Sequence, residues 1–254
     1  LQEDNIHAYM LTQFNNVSYL SGYKPTSFAF CIIKENPIIY ASGMDMEIAK
    51  RDSAIEVKEY ESYEVMISEL KKEGIKNLAI EPTLPFSTYV RFRDDFNICA
   101  KTYVNEQRMI KTPREIENIT KATEIAQKSF LQLDIRNNES TEKEIAFDLV
   151  RYMIENGASK ESFDTIVTSG VNSSLPHAVP GAKKLQEPIL IDWGAIFGGY
   201  CSDNTRTIVF SEAQQEIWDI VREAHDKAIK AIKPGLKCCE IDKVARDIIS
   251  DYGY

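Results

Sequence analysis

"IDWGAIFGGYCSDNTR", residues 191–206, sets two aspartates on either side of a Gly-Gly pair in a stretch that is otherwise apolar and strand-like. A two-residue Gly198-Gly199 loop turns such a chain back on itself as a β-hairpin. That pairing places Asp192 opposite Thr205 and Gly194 opposite Asp203. Side chains two apart on a strand share a face, so both aspartates point the same way, as diagonal neighbours with Cβ atoms about 7–8 Å apart or somewhat less. Burying two anions on one face is costly, or raises at least one pKa sharply, and divalent cations remove that penalty. Paired ions ~3.5–4 Å apart fit between two such carboxylates, and Gly194 leaves room beside them. The competing reading is an exposed hairpin with both carboxylates solvated, since a bulge or an odd-length loop would send them to opposite faces. Cys201 shares the face and is read as packing, because a hard-oxygen site does not call for a thiolate.

Oxygen-only ligation suits manganese, magnesium or calcium, and a histidine from elsewhere would widen the choice to zinc, cobalt or iron. "TSGVNSSLPHAVPG" supplies a candidate: Pro176 forces Leu175 to be extended and thereby holds His177 on a loop. Imidazole titrates near neutrality and can shuttle protons, but a lone loop histidine is more often structural. His225 falls among charged neighbours on a helix pattern and reads as a surface residue, and His7 is uninformative.

The 254 residues, 43% hydrophobic, suffice for one large or two modest cores, which excludes a disordered or fibrous chain. Asp and Glu outnumber Lys and Arg by 39 to 30, a formal net charge of -9, with the basic residues scattered; nucleic acid and acidic membranes are disfavoured partners. Five cysteines without a Cys-x-x-Cys fit reduced thiols in the cytoplasm, and Cys31, Cys99 and Cys201 sit in apolar runs where burial is the usual state. No apolar stretch is long enough to span a bilayer.

Before residue 107, short strands such as "HAYMLT", "SFAFCIIK", "PIIYAS", "IEVKEY" and "NLAIEP" alternate with helical patterns, which predicts an α/β domain on a mixed sheet over 1–107. From 108 to 254 the texture changes to long helices. Thr112, Pro113 and Glu115 open one of them, and Thr141 with Glu144 opens a second. On the first of these helices Ile116, Ile119, Thr123, Ala126, Phe130 and Leu133 recur at helical spacing and are expected to face a core. Strands are expected in "FDTIVTSG", "PILIDWGAIF" and "YCSDNTRTIVF", followed by two more helices.

"FDTIVTSGVNSSLPHAVPG", then "LIDWGAIFGGYCSDNTRTIVF" and "AIKPG", closely resemble the Xaa-Pro dipeptidases and Xaa-Pro aminopeptidases, metallopeptidases of the pita-bread fold. "NVSYLSGY" and "RMIKTPREIENI" extend the resemblance over essentially the whole chain. It implies a creatinase-like amino-terminal α/β domain, an incomplete pita-bread α+β catalytic domain, and hydrolysis of the bond preceding proline by water activated at two divalent metal ions, manganese first, with cobalt, zinc or iron as alternatives. Under it, Asp192 is a terminal metal ligand, Asp203 bridges both ions, and His177 lies beside the metals to contact substrate or assist the leaving nitrogen. It further implies an Xaa-Pro peptide as substrate, a cytoplasmic homodimer, and three further ligands, a histidine and two glutamates, beyond residue 254. The chain is accordingly expected to be an inactive fragment cut at both ends, with apolar faces on its last two helices (Ile217, Ile220, Val221, Ala228; Ile241, Val244, Ile248) left for other strands to cover. A non-catalytic peptide-binding homologue and a metal-free creatinase-type hydrolase are the alternatives. The aspartate pair counts against both.

Overall fold

A computed structural model describes residues 4–135 and 139–254. The chain divides into two compact units, Leu1–Ile110 and Lys111–Tyr254. In the first, β1 (Ala8–Leu11), α1 (Phe14–Ser21), β2 (Ala29–Ile33), β3 (Ile38–Ala41), α2 (Met46–Asp52), β4 (Glu56–Glu59), α3 (Tyr63–Lys72), β5 (Asn77–Ile80), α4 (Phe86–Phe92), β6 (Asn97–Ala100) and α5 (Tyr103–Gln107) follow in order. The strands form one sheet, β4-β3-β2-β1-β5-β6. It is mixed, as expected: β1/β2 and β2/β3 are antiparallel, while β1/β5, β5/β6 and β3/β4 are parallel.

Both faces of this sheet are covered, so its central strands are apolar at every position rather than alternating. Ala8 and Met10 pack with Met66 and Leu70 of α3 and Phe92 of α4. Tyr9 and Leu11 pack on the other face with Val17 of α1, Ala49 of α2 and Val104 of α5. Burial pushes the Cys31 thiol up to about 12 and leaves it inert. Cys99 and Cys201, by contrast, are exposed. Cys99 lies on β6, one of the two edge strands, and Cys201 is on the outward face of its hairpin, so an apolar run alone did not guarantee cover.

The "NVSYLSGY" stretch does structural work. The buried Glu81 carboxylate, at the carboxyl end of β5, accepts hydrogen bonds from the Thr12 amide (2.6 Å), the Gln13 amide (2.8 Å) and Asn16 Nδ2 (2.5 Å). Arg108 Nη1 in turn donates to Asn16 Oδ1 at 2.7 Å. Gly22 ends α1 at φ +80°, with its Cβ position only 3.1 Å from the Asp52 carbonyl oxygen, which demands glycine there twice over.

Asp45 is a second buried carboxylate. Its oxygens accept from the Thr26 hydroxyl, from Tyr23 Oη at 2.7 Å and from the Thr26 amide at 2.9 Å. These bonds, that of the Thr26 side chain foremost, lower its pKa to about 2. A carboxyl more acidic in the folded than in the unfolded chain contributes stability that is fully present above its unfolded pKa of about 3.9 and is lost as pH falls through the folded value. Asp45→Asn is therefore expected to cost about 1–3 kcal/mol at neutral pH. Urea unfolding should show that deficit shrinking as pH falls from about 4 toward 2; an Asn variant with the wild-type pH profile would rule out this assignment.

The second unit contains α6 (Pro113–Leu131), α7 (Glu142–Glu155), β7 (Lys160–Glu161), β8 (Ile166–Ser169), β9 (Ile189–Trp193), β10 (Ala195–Phe197), β11 (Tyr200–Cys201), β12 (Asn204–Ile208), α8 (Glu212–Ala231) and α9 (Cys238–Asp251). Both capping boxes form as read, Thr112 with Glu115 and Thr141 with Glu144. The strands make two three-stranded sheets, β11-β10-β7 and β12-β9-β8. Ile189, Ile191, Trp193 and Ala195 pack from the hairpin onto Ile125 and Ala126 of α6 and Leu149 and Met153 of α7.

Of the face expected on α6, Ala126, Phe130 and, just past the helix end, Leu133 stay against the core, and the buried face is shifted elsewhere. Ala122, Ile125, Ala126 and Ser129 are buried, while Ile116 is 54% exposed. Small side chains win here because the hairpin comes close enough to hydrogen-bond the helix backbone: Trp193 Nε1 donates to the Ala126 carbonyl (2.9 Å) and Ser202 Oγ to that of Ala122 (3.2 Å). On α8, Ile220 and Ala224 are buried, whereas Ile217 and Val221 are exposed as expected. Ile241, Val244 and Ile248 of α9 are half-buried.

Candidate metal centre

The hairpin has the register that a Gly198-Gly199 loop imposes. Asp192 pairs with Thr205, and Trp193 with Asn204, across β9 and β12. Beyond the gap, Ile196 pairs with Cys201 and Phe197 with Tyr200 across β10 and β11. Burial alternates accordingly: Trp193, Ala195, Ser202 and Asn204 are buried, Asp192 is half-buried, and Cys201, Asp203 and Thr205 are exposed. Both aspartates thus lie on the outward face. Thr205 Oγ1 donates to Asp192 Oδ1 at 2.9 Å, which orients that carboxylate from directly across the ladder.

The expected continuous strands are each broken, at Gly194 and at Ser202-Asp203, where the hairpin passes from one sheet to the other. A third segment causes the break. Ser162 Oγ donates to the Ser202 carbonyl oxygen at 2.8 Å, and Ser202 Oγ in exchange accepts from the Ala195 amide at 3.0 Å. A Cβ at Gly194 would lie 2.0 Å from the Ser202 carbonyl oxygen and 2.1 Å from Ser162 Oγ. The room that Gly194 leaves is therefore taken by this crossing, and is not free space for an ion. Asp203 sits at the bend, between β11 and β12.

The hairpin tip is tied to the first turn of α6. Tyr200 Oη donates to Glu115 Oε1 at 2.7 Å, and the Thr112 amide to Glu115 Oε2 at 2.7 Å. Hydrogen bonding at Thr112, then at Tyr200, holds the Glu115 carboxyl below the usual range. On β7, burial, reinforced by the Asp164 charge, raises the pKa of Glu161.

His177 occupies an exposed turn after Pro176, in the connection that runs from β8 through a 3-10 turn (Gly170–Ser174) to β9. That connection rejoins the sheet at Ile189, on the strand that carries Asp192. His225 is exposed and bonded to its neighbour Asp226 at 3.0 Å, and in the first unit His7 Nδ1 accepts the Lys76 amide at 3.0 Å. Sequence reasoning passed over Thr205, although the hairpin register already set it opposite Asp192. Nor did it single out Glu142, whose long-range partners no local pattern announces.

Asp192 and Asp203 are hard-oxygen donors, the type a divalent ion takes, and both are open to solvent rather than buried as a pair. Among the described residues, however, no group of three or more His, Cys, Asp or Glu could hold a metal ion. Nearby, the buried Thr168 Oγ1 has no hydrogen-bond partner among the described residues. Thr168 pairs with Leu190 and Ile166 with Asp192, so alternation puts Thr168 on the aspartate face.

Residues 117–254 match the profile of metallopeptidase family M24, and residues 1–116 that of the creatinase/prolidase N-terminal domain. The Xaa-Pro dipeptidase of Pyrococcus horikoshii is 36% identical over 265 aligned residues, covering 100% of this chain and 75% of that protein. The crystal structure of the prolidase from the same organism matches with a TM-score of 0.91 at 36% identity, over 100% of this chain and 76% of its own. An X-Pro aminopeptidase from Thermotoga maritima matches with a TM-score of 0.85 at 31% identity, over 98% of this chain and 76% of its own. The first unit is accordingly creatinase-like and the second has the pita-bread fold. The chain belongs to metallopeptidase family M24, its peptidase region preceded by a creatinase/prolidase N-terminal domain.

Proposed function

We propose that the protein hydrolyses the peptide bond preceding proline, with Asp192 and Asp203 holding divalent metal ions and His177 meeting the substrate. The observation that carries this reading is the pair of carboxylates on the outward face of one hairpin, in a chain of this family. Divalent ions held there would lower the pKa of water and polarise the scissile carbonyl. The chain's own contributions are positional. Thr205 fixes the Asp192 carboxylate, the bend at Gly194 sets where Asp203 projects, and the Trp193 and Ser202 bonds to α6 keep the ladder from shifting. His177 is assigned to donate a proton from its imidazole to the departing proline nitrogen, which as an amide carries no hydrogen of its own.

Manganese is the proposed metal by resemblance to the family, and the oxygen donors present are compatible with it. A cytoplasmic setting is favoured by five free cysteines, and a homodimer by resemblance to the family. The test is proline release from an Xaa-Pro dipeptide by the full-length gene product with Mn²⁺. Activity should vanish with a chelator and return with metal. Hydrolysis that persists in the chelator would refute the metal role, and failure on every Xaa-Pro dipeptide and Xaa-Pro-Yaa tripeptide would refute the substrate class. The dipeptide-to-tripeptide ratio separates dipeptidase from aminopeptidase.

A further inference from the structure

Glu142 opens α7 and is only 2% exposed, although carboxylates in a first helical turn ordinarily reach water. One oxygen, Oε1, accepts the Ser169 hydroxyl at 2.8 Å, and the other, Oε2, accepts the Gly181 amide at 2.8 Å. Ser169 is the last residue of β8, and Gly181 lies on the returning limb of the connection to β9. A single carboxylate therefore grips both ends of the segment 170–180, and His177 is inside it.

Backbone bonds reinforce the grip: the Glu142 amide donates to the Lys183 carbonyl and the Lys143 amide to that of Gly181, both at 3.1 Å. At the base of the loop the Gly170 amide donates to the carbonyls of Gln186 (3.2 Å) and Pro188 (2.9 Å). A buried anion is tolerated here because both oxygens are hydrogen-bonded and the amino end of α7 supplies partial positive charge. The Gly181 amide requires an acceptor, whereas the Ser169 hydroxyl can donate or accept. A glutamine can therefore keep both contacts, its oxygen accepting from Gly181 and its amide donating to Ser169, whereas a leucine of similar size removes the clamp.

We propose that Glu142 is a positioning residue for His177: it clamps the β8–β9 connection so that the imidazole is presented to substrate in one geometry. The proposal rests on the role given to His177 above, and Glu142 acts only through that residue. In the full-length Mn²⁺ enzyme, Glu142→Leu is expected to lower kcat for an Xaa-Pro dipeptide by about 10–100-fold, the scale of a misplaced reacting group, and Glu142→Gln, which can keep both contacts, by much less. Calorimetric Mn²⁺ affinity should be unchanged. His177→Ala should lower kcat by about 100-fold or more. The double variant should fall within about 2-fold of His177→Ala alone, because residues acting as a unit are not additive.

Should Glu142→Leu fail to fold, Ser169→Ala, which frees one carboxylate oxygen, carries the expectation of a smaller loss that disappears in the His177→Ala background. Losses that multiply in the double variant, or a lowered Tm with wild-type kcat, would make Glu142 merely structural and overturn the proposal. Wild-type kcat in His177→Ala, where Glu142 is intact, would instead overturn the His177 assignment itself.

Discussion

Replacing Asp203 by asparagine is expected to lower kcat/KM for an Xaa-Pro dipeptide by about 1,000-fold, or about 4 kcal/mol of transition-state stabilisation. The change keeps the shape of the side chain and removes its charge, the property a divalent ion uses. Folding should be untouched without metal, because Asp203 is exposed and such substitutions usually fall within about 0.5 kcal/mol of neutral. Removing one of two like charges from a shared face even favours the metal-free variant slightly. Saturating Mn²⁺ should reverse the order, since an ion that binds only the folded state raises its stability, and raises it less when a ligand is missing. Thermal melts of both proteins with and without Mn²⁺ read this inversion directly. Full activity in Asp203→Asn, or an equal rise in Tm with Mn²⁺, would remove Asp203 from the metal centre.

Trp193→Ala should be the most damaging single truncation of the second unit, costing about 3–5 kcal/mol in urea unfolding. The indole is 1% exposed, stacks on Phe130 with ring centroids 4.7 Å apart, and donates its N–H to the Ala126 carbonyl. It is also the residue next to Asp192, facing the opposite way. The cavity would therefore loosen β9 against α6 at the point where the carboxylate is aimed, and activity should fall with stability. Trp193→Phe keeps most of the apolar area and loses the hydrogen bond, a cost nearer 1 kcal/mol for that bond. A loss below about 1 kcal/mol for the alanine variant would mean that the hairpin is not anchored through this side chain.

Features governed by residues close in sequence were legible beforehand. Both capping boxes follow from a threonine and a glutamate three positions apart, and the hairpin register follows from its two-glycine loop. The mixed α/β sheet followed from short β-rich runs separated by helical periods. Burial at Cys99 and Cys201 was misjudged because it depends on what covers a strand, and an edge strand or outward face has the same local composition as a covered one. The α6 face was partly displaced for a related reason: periodicity locates apolar stripes, whereas close approach of a backbone selects small residues.

What the sequence by itself determined is the mixed α/β sheet of the first unit, both capping boxes and the pairing of Asp192 with Thr205, because each depends on turn length, capping spacing and side-chain alternation. Only the tertiary structure decided that the ladder bends at Gly194 and that Glu142 turns inward to Ser169 and Gly181. Those arrangements require Ser162 and Glu142 to meet segments far along the chain, and such meetings are set by packing a whole unit into the least space, which no local pattern encodes.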